Sequence, residues 1–305
     1  MTLRIAGPLL LLTVAIAVFA AAKPQPVEFL KVERYSEGPV FDYEGNFFVT
    51  DLDRVVRRSP DGTVTPWGEL EDANGHKVLP DGTHLVCAPR QRAVVHLDAS
   101  GKFLGYASNE CNGQPLRAPN DLTLAPFGGF YFSDPGGSRQ APVGTVHYVD
   151  PQGKTHLAAG GMWVPNGLVL SPDAATLYVA ETVPNRILKF RVLEGGKLGP
   201  VEIFANLPSR PDADVGPDGL AVDTKGNLYV AHLGMSAVQV LSPAGKLLRT
   251  LPGGNYDVSN LVFWGPELNE LYISGAIGHR SKAPGRVYRL TLPGVRGVSS
   301  LLERK

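Results

Sequence analysis

The chain has 305 residues with 29 Lys plus Arg against 29 Asp plus Glu, so it has no broad basic field of the kind that holds a nucleic-acid backbone. Two cysteines, Cys87 and Cys111, exclude a disulfide-built scaffold and a cysteine-rich zinc site. With 35 Gly and 26 Pro spread along the sequence, long helices give way to many short strands joined by turns.

The first element is a leader. Arg4, an apolar run from Pro8 to Phe19 and the small residues Ala20, Ala21 and Ala22 predict a secretory signal peptide over residues 1–22, cleaved near Ala22. An uncleaved anchor is the alternative, but the run is short for a bilayer span. Residues 23–305 are then expected to form a single soluble domain, secreted or periplasmic, with no membrane contact after cleavage and a monomeric state. In an oxidising compartment Cys87 and Cys111 either pair or stand as two separate thiols, and the sequence leaves both readings open.

After the leader, turns can be read directly. "YEGN", "SPDGT", "LPDGT", "DASGK", "DPQGK", "DTKGN" and "SPAGK" each bring Gly, with Asp, Ser or Asn close by, to the positive φ of a tight hairpin. Strand-like runs follow several of them, in chain order "NFFVTD", "THLVCA", "GFYFSD", "TLYVAE", "NLYVAH" and "ELYISG". Ahead of each lies a polar residue opening another apolar run: Glu37, Asn74, Asn120, Asn166, Asp218 and Asn260, at intervals of 37 to 52 residues. Four strands in such a period predict an all-β fold, a six-bladed β-propeller. A β-sandwich would not repeat one unit six times. The segment "VEFLKVERYS" is expected to pair with "RVYRLTL" and close the ring, leaving a short C-terminal tail from about residue 296.

If the repeats are equivalent, the six openers face one another across a central channel. All carry side-chain oxygen, with no Cys or His among them, which suits one hard divalent cation: Ca²⁺ first, with Mg²⁺, Mn²⁺ or Zn²⁺ as alternatives. Asn and Asp at strand starts are also plain turn formers, and for any single opener that is the commoner explanation. Six in register favour a shared channel position.

The stretches "SEGPVFDYEGNFFVTD", "RAPNDLTLAPFGGFYFSDP", "VPNGLVLSPDAATLYVAET" and "GPDGLAVDTKGNLYVAH" resemble the gluconolactonase, or senescence-marker/regucalcin-like, family over nearly all of the chain after the leader. The resemblance implies a six-bladed propeller with a metal-binding channel, the metal held by Glu37, Asn166 and Asp218. It also implies that Asn120 lies beside the metal and helps to hold substrate or water. Arg117-Ala118-Pro119 precedes Asn120 where mammalian relatives place an Arg two residues before it, so substrate preference does not transfer.

The expected reaction is hydrolysis of a small-molecule sugar lactone, with the cation polarising the carbonyl and Asp218 taking a proton from the attacking water. His232 and His279 are the alternative bases. Asn120, Asp121, Asn74, His232 and His279 are the expected substrate contacts, with Asp121 pointing away from the cation to orient Asn120 or to cap a loop. A phosphotriesterase or arylesterase activity at the same site, and a non-catalytic propeller pinned by its metal, remain as alternatives. The sequence has no G-x-S-x-G, H-E-x-x-H or G-K-[ST] loop that would point to other hydrolases or to a P-loop enzyme.

Overall fold

The computed structural model describes residues 24–51, 54–211, 214–279 and 283–304. The predicted signal peptide over residues 1–22 lies outside them. The described residues form six four-stranded antiparallel sheets arranged as the blades of a propeller. Blade 1 runs from the channel outward through Ser36–Phe41, Phe47–Asp51, Arg54–Arg58 and Val64–Gly68. Blade 2 is His76–Val78, His84–Ala88, Ala93–Leu97 and Phe103–Ser108, and blade 3 is Leu122–Leu124, Phe130–Asp134, Gly144–Val149 and Thr155–Met162. Blade 4 is Pro165–Leu170, Thr176–Glu181, Arg186–Arg191 and Glu202–Asn206; blade 5 is Gly216–Val222, Leu228–Leu233, Ala237–Leu241 and Leu247–Pro252. Blade 6 takes Asp257–Trp264, Glu270–Ala276 and Gly285–Thr291, and its outermost strand is the N-terminal Val27–Val32.

That last pairing, Val27 opposite Arg289 through Val32 opposite Gly285, closes the ring as the sequence predicts. The seam is sealed by aromatic rings from both ends of the chain. Phe29 packs edge-on against Phe47 and Tyr272, and Phe41 stacks on Trp264 with centroids 4.6 Å apart.

Between neighbouring blades lie apolar clusters, such as Val40 and Phe48 against Val78 and Val86, or Tyr229 and Val238 against Phe263 and Ile273. Inner strands are therefore covered on both faces, which is why "FFVTD" and "FYFSD" read as continuous apolar runs rather than alternating ones. Outer strands such as Leu247–Pro252 are largely exposed. The hairpin turns are built by aspartate: Asp42, Asp98, Asp150 and Asp223 each accept backbone N–H groups two and four residues on, while Gly45, Gly101, Gly153 and Gly226 take positive φ.

The C-terminal tail is a strap. Gly297 pairs with Asp223 in blade 5, whereas the Leu302 carbonyl accepts the Tyr43 hydroxyl of blade 1 at 2.7 Å, and Leu302 packs on the cluster shared by blades 2 and 3. The tail thus crosses one end of the channel. Cys87 and Cys111 are separate buried thiols. Among the described residues no helix is long and apolar enough to cross a membrane.

Candidate functional site

Five inner strands end on a residue paired at or near the start of the next strand: Phe41 with Phe47, Val78 with His84, Leu124 with Phe130, Leu170 with Leu177 and Val222 with Leu228; in blade 6 the ladder slip between Val258 and Leu261, matching that between Pro165 and Leu168, makes Phe263, paired with Leu271 one residue before the strand end, their equivalent. Counting back to the strand start gives two successive rings. The upper holds Glu37, Asn74, Asn120, Asn166, Asp218 and Ser259; the lower holds Gly38, Gly75, Asp121, Gly167, Gly219 and Asn260. The expected place of Asn260 in the upper ring is therefore corrected by one residue. Ser259 is the equivalent there, and Asn260 lies one level deeper.

Successive strand residues ordinarily point to opposite faces, and a bulge removes that constraint. The ladder slips between Glu37 and Val40, Pro165 and Leu168, Pro217 and Leu220, and Val258 and Leu261. In blade 3 Ser133 bonds both Asn120 and Asp121 through its backbone, and in blade 2 Cys87 does the same with Asn74 and Gly75. Asp121, expected to point elsewhere than the cation, accepts the Leu122 amide on Oδ1 at 2.8 Å and lies one level below the openers. The bulge sends it to the axis, where Asn260 Nδ2 from the opposite blade lies 3.5 Å from Asp121 Oδ2.

Glycine fills the other lower positions because the blades meet there. A Cβ on Gly38 would strike the Asn74 carbonyl, one on Gly167 the Asp218 carbonyl, and one on Gly219 the Asn260 side chain. The openers are thus neighbours around one axis. Their approach is set by acids at the ends of the second strands: Asp51 accepts the Arg34 amide, Asp134 the Arg117 and Ala118 amides, and Glu181 the Trp163 amide.

At the mouth, the Tyr35 hydroxyl lies 2.8 Å from Glu37 Oε1 and 3.3 Å from Asp218 Oδ2, so carboxylates 181 positions apart in sequence share one donor. Asn166 Nδ2 is turned to Thr182 Oγ1 at 3.4 Å, which leaves its carbonyl oxygen as the atom to present to a ligand. Thr182 is itself anchored on the Pro217 carbonyl. Asn120 Oδ1 is buried with no hydrogen-bond partner.

Glu37, Asp121 and Asp218 are all buried. Burial, with Asp121 close by, pushes the Glu37 carboxyl up to about 7 against the opposing pull of Tyr35, Gly38 and Asn260. Burial also raises Asp121, with Lys77 and the Leu122 and Leu168 amides opposing. Among the described residues no salt bridge reaches Glu37 or Asp121. A set of buried oxygens with excess negative charge and an orphaned amide carbonyl fits a hard cation. Among the described residues no three His, Cys, Asp or Glu side chains cluster as a metal site, so such a set depends on its amides.

The remaining predicted residues fall in different places. Asn74 is half-buried in the upper ring. His232 is fully buried at the end of the second strand of blade 5, with Nε2 on Asn185 Oδ1 at 2.9 Å and Nδ1 on Gln239 Nε2 at 3.3 Å. Both ring nitrogens are committed away from the channel, and burial holds the imidazole down at about 4. His279 is exposed in the loop after Glu270–Ala276, at the mouth end. Arg117 is exposed, with Nη1 on the Val143 carbonyl at 3.1 Å. Tyr35 was missed by sequence reasoning. Its only signal is a hydroxyl placed two residues before Glu37.

A family model described as the SMP-30/Gluconolactonase/LRE-like region matches residues 35–277. The gluconolactonase of Zymomonas mobilis subsp. mobilis is 28% identical over 286 residues, covering 82% of this chain and 79% of that protein. Lactonase drp35 of Staphylococcus epidermidis is 35% identical over 248 residues, covering 72% of this chain and 75% of its own. The solved structure of a gluconolactonase from Xanthomonas campestris aligns with a TM-score of 0.76 at 28% identity, over 88% of this chain and 90% of that one.

Proposed function

Because the chain belongs to the SMP-30/gluconolactonase/LRE-like family, we propose that it is a lactone-hydrolysing enzyme acting on sugar lactones, with a divalent cation held by Glu37, Asn166 and Asp218. One observation carries this reading: Glu37 and Asp218 converge on a single hydroxyl, and the same ring of strand openers holds a buried, unpartnered Asn120 carbonyl oxygen. Glu37, Asn166 and Asp218 would hold the cation, Ca²⁺ by the hardness of these donors, and when bound it would supply positive charge to polarise the lactone carbonyl.

The chain's own groups do the rest. Asp218 accepts a proton from the attacking water as the new C–O bond forms at the carbonyl carbon. The bond to the ring oxygen then breaks, and that proton passes to the departing oxygen, giving the hydroxy acid. Asn120 holds substrate or water beside the carboxylates. Asn166 is kept in orientation by Thr182. The cross-channel contact of Asp121 with Asn260 makes a floor below the upper ring, and the C-terminal strap covers the far end, so substrate enters from the mouth.

The test is acid release in a pH-stat from a panel of sugar lactones, with chelator-stripped protein and then with Ca²⁺, Mg²⁺, Mn²⁺ or Zn²⁺ restored. Cation-dependent release supports the reading. Folded protein that opens no lactone with any cation overturns it, and faster turnover of phosphotriesters or aryl esters in parallel would transfer the site to that chemistry.

A further inference from the structure

Tyr229 and Tyr272 each direct their hydroxyl to one carboxylate of their own blade, Asp223 and Glu270, and three other tyrosines use theirs to tie backbone. Tyr43 donates to the Leu302 carbonyl, Tyr131 to the Gly196 carbonyl and Tyr148 to the Gly128 carbonyl, each fastening one segment of backbone to another. Tyr35 is different. Its hydroxyl, half-buried at the mouth, meets Glu37 Oε1 at 2.8 Å and Asp218 Oδ2 at 3.3 Å, joining the first inner strand to the fifth.

We propose that Tyr35 is a positioning residue that holds Glu37 and Asp218 in the orientation needed to bind the cation. This rests on the cation-dependent reading above. Two buried carboxylates repel each other, and left alone they would turn apart or toward water. A single phenol proton engages one oxygen of each and restrains both rotations. Glu37 is fixed further, because its Oε2 accepts the Gly38 amide at 3.1 Å. With both carboxylates held, neither pays the full ordering entropy when the ion arrives. A hydrogen-bond partner behind a metal ligand commonly changes affinity by about 10- to 100-fold.

The experiment is calorimetric titration of Ca²⁺ into chelator-stripped wild-type protein and Tyr35→Phe, with Tyr35→Met as a second hydroxyl-free variant in case the first does not fold. We expect Ca²⁺ affinity to fall about 10- to 100-fold. The Ca²⁺ concentration for half-maximal lactone turnover should rise in step, while kcat at saturating Ca²⁺ is recovered. A purely structural tyrosine would instead lower the denaturation midpoint and leave the Ca²⁺ affinity of the folded fraction unchanged, and that result overturns the proposal. Wild-type protein that opens lactones without binding any cation overturns both this and the cation-dependent reading, whereas unchanged affinity in the variants overturns this one alone.

Discussion

The Asn260 amide nitrogen lies 3.5 Å from Asp121 Oδ2 across the channel axis, so blades 3 and 6, which face each other in the ring, touch at its centre. Each residue also accepts the next backbone amide, Asp121 Oδ1 from Leu122 and Asn260 Oδ1 from Leu261, both at 2.8 Å. Replacing Asn260 by Ala removes a donor from a buried carboxylate and an acceptor from a buried N–H. A loss of about 1–3 kcal/mol in unfolding free energy is expected, read from urea denaturation. An unchanged midpoint would mean that water serves both groups equally well.

Asp218 is assigned two tasks, holding the cation and taking a proton, and Asp218→Asn separates the second from the fold. The amide keeps the shape and one oxygen but cannot accept the proton. Lactone turnover should drop by about 100-fold or more at saturating cation, with unaltered circular dichroism. Wild-type kcat in the variant would remove Asp218 from the chemistry.

The fold and its repeat were legible because a propeller imposes the same demands six times. "FVTD", "FSDP" and "VAET" repeat because Asp51, Asp134 and Glu181 each take a backbone amide from the segment entering the inner strand of its own blade. Five of the six upper-ring residues follow from that repeat. Asn260 was misplaced by one position because residue type alone aligned it with Asn166, whereas the bulge register aligns it with Gly167. Bulges also hid Asp121, since an alternating strand would turn it from the axis. His232 looked available by its place near the mouth end, but its partners Asn185 and Gln239 come from separate hairpin positions that no local pattern reveals. Tyr35 carries no repeat signal, because its contact with Asp218 exists only once the ring has closed.

Blade 2 replaces two apolar positions with histidine. His76 stands where other blades have Leu122, Leu168, Leu220 and Leu261, and His84 where they have Phe47, Phe130, Leu177, Leu228 and Leu271. The two rings share a 2.8 Å hydrogen bond under Trp67 and Phe48. Burial holds His84 down at about 4, with Asp98 and Asp81 pulling up and His96 down, and also holds His76 well below its ordinary value, with His84 and Lys77 adding to the depression. Unfolded, both titrate near 6.5, so the unfolded chain gains protons that the folded one refuses. The contribution of these two histidines to stability is complete above that pH and falls from it down toward about 4, by up to about 1.4 kcal/mol per pH unit for each. The double variant His76→Leu, His84→Phe should flatten this part of the denaturation profile between pH 6 and 4, and an equally steep profile would place the acid sensitivity elsewhere.

The C-terminal strap gives a prediction of opposite character, a large effect on stability with little on the site. Beyond Gly297 the chain donates from the Val298 amide to the Val222 carbonyl, accepts the Tyr43 hydroxyl at Leu302, and packs Leu301 and Leu302 on clusters built from blades 1, 2 and 3. Deleting the residues after Gly297 exposes that apolar surface and leaves the half-buried Tyr43 hydroxyl to water. Two half-buried leucines and one such hydrogen bond together are worth about 3 kcal/mol, seen as a lower urea midpoint. The upper ring lies at the other end of the channel, above the contact between Asp121 and Asn260, and among the described residues the bonds of Glu37, Asp218 and Asn166 run to Tyr35, Gly38 and Thr182. Cation affinity and lactone kcat of the folded truncated protein should therefore match the full chain. If they fall along with stability, the floor does not insulate the site, and the strap must be counted among the elements that hold Glu37, Asn166 and Asp218 in place.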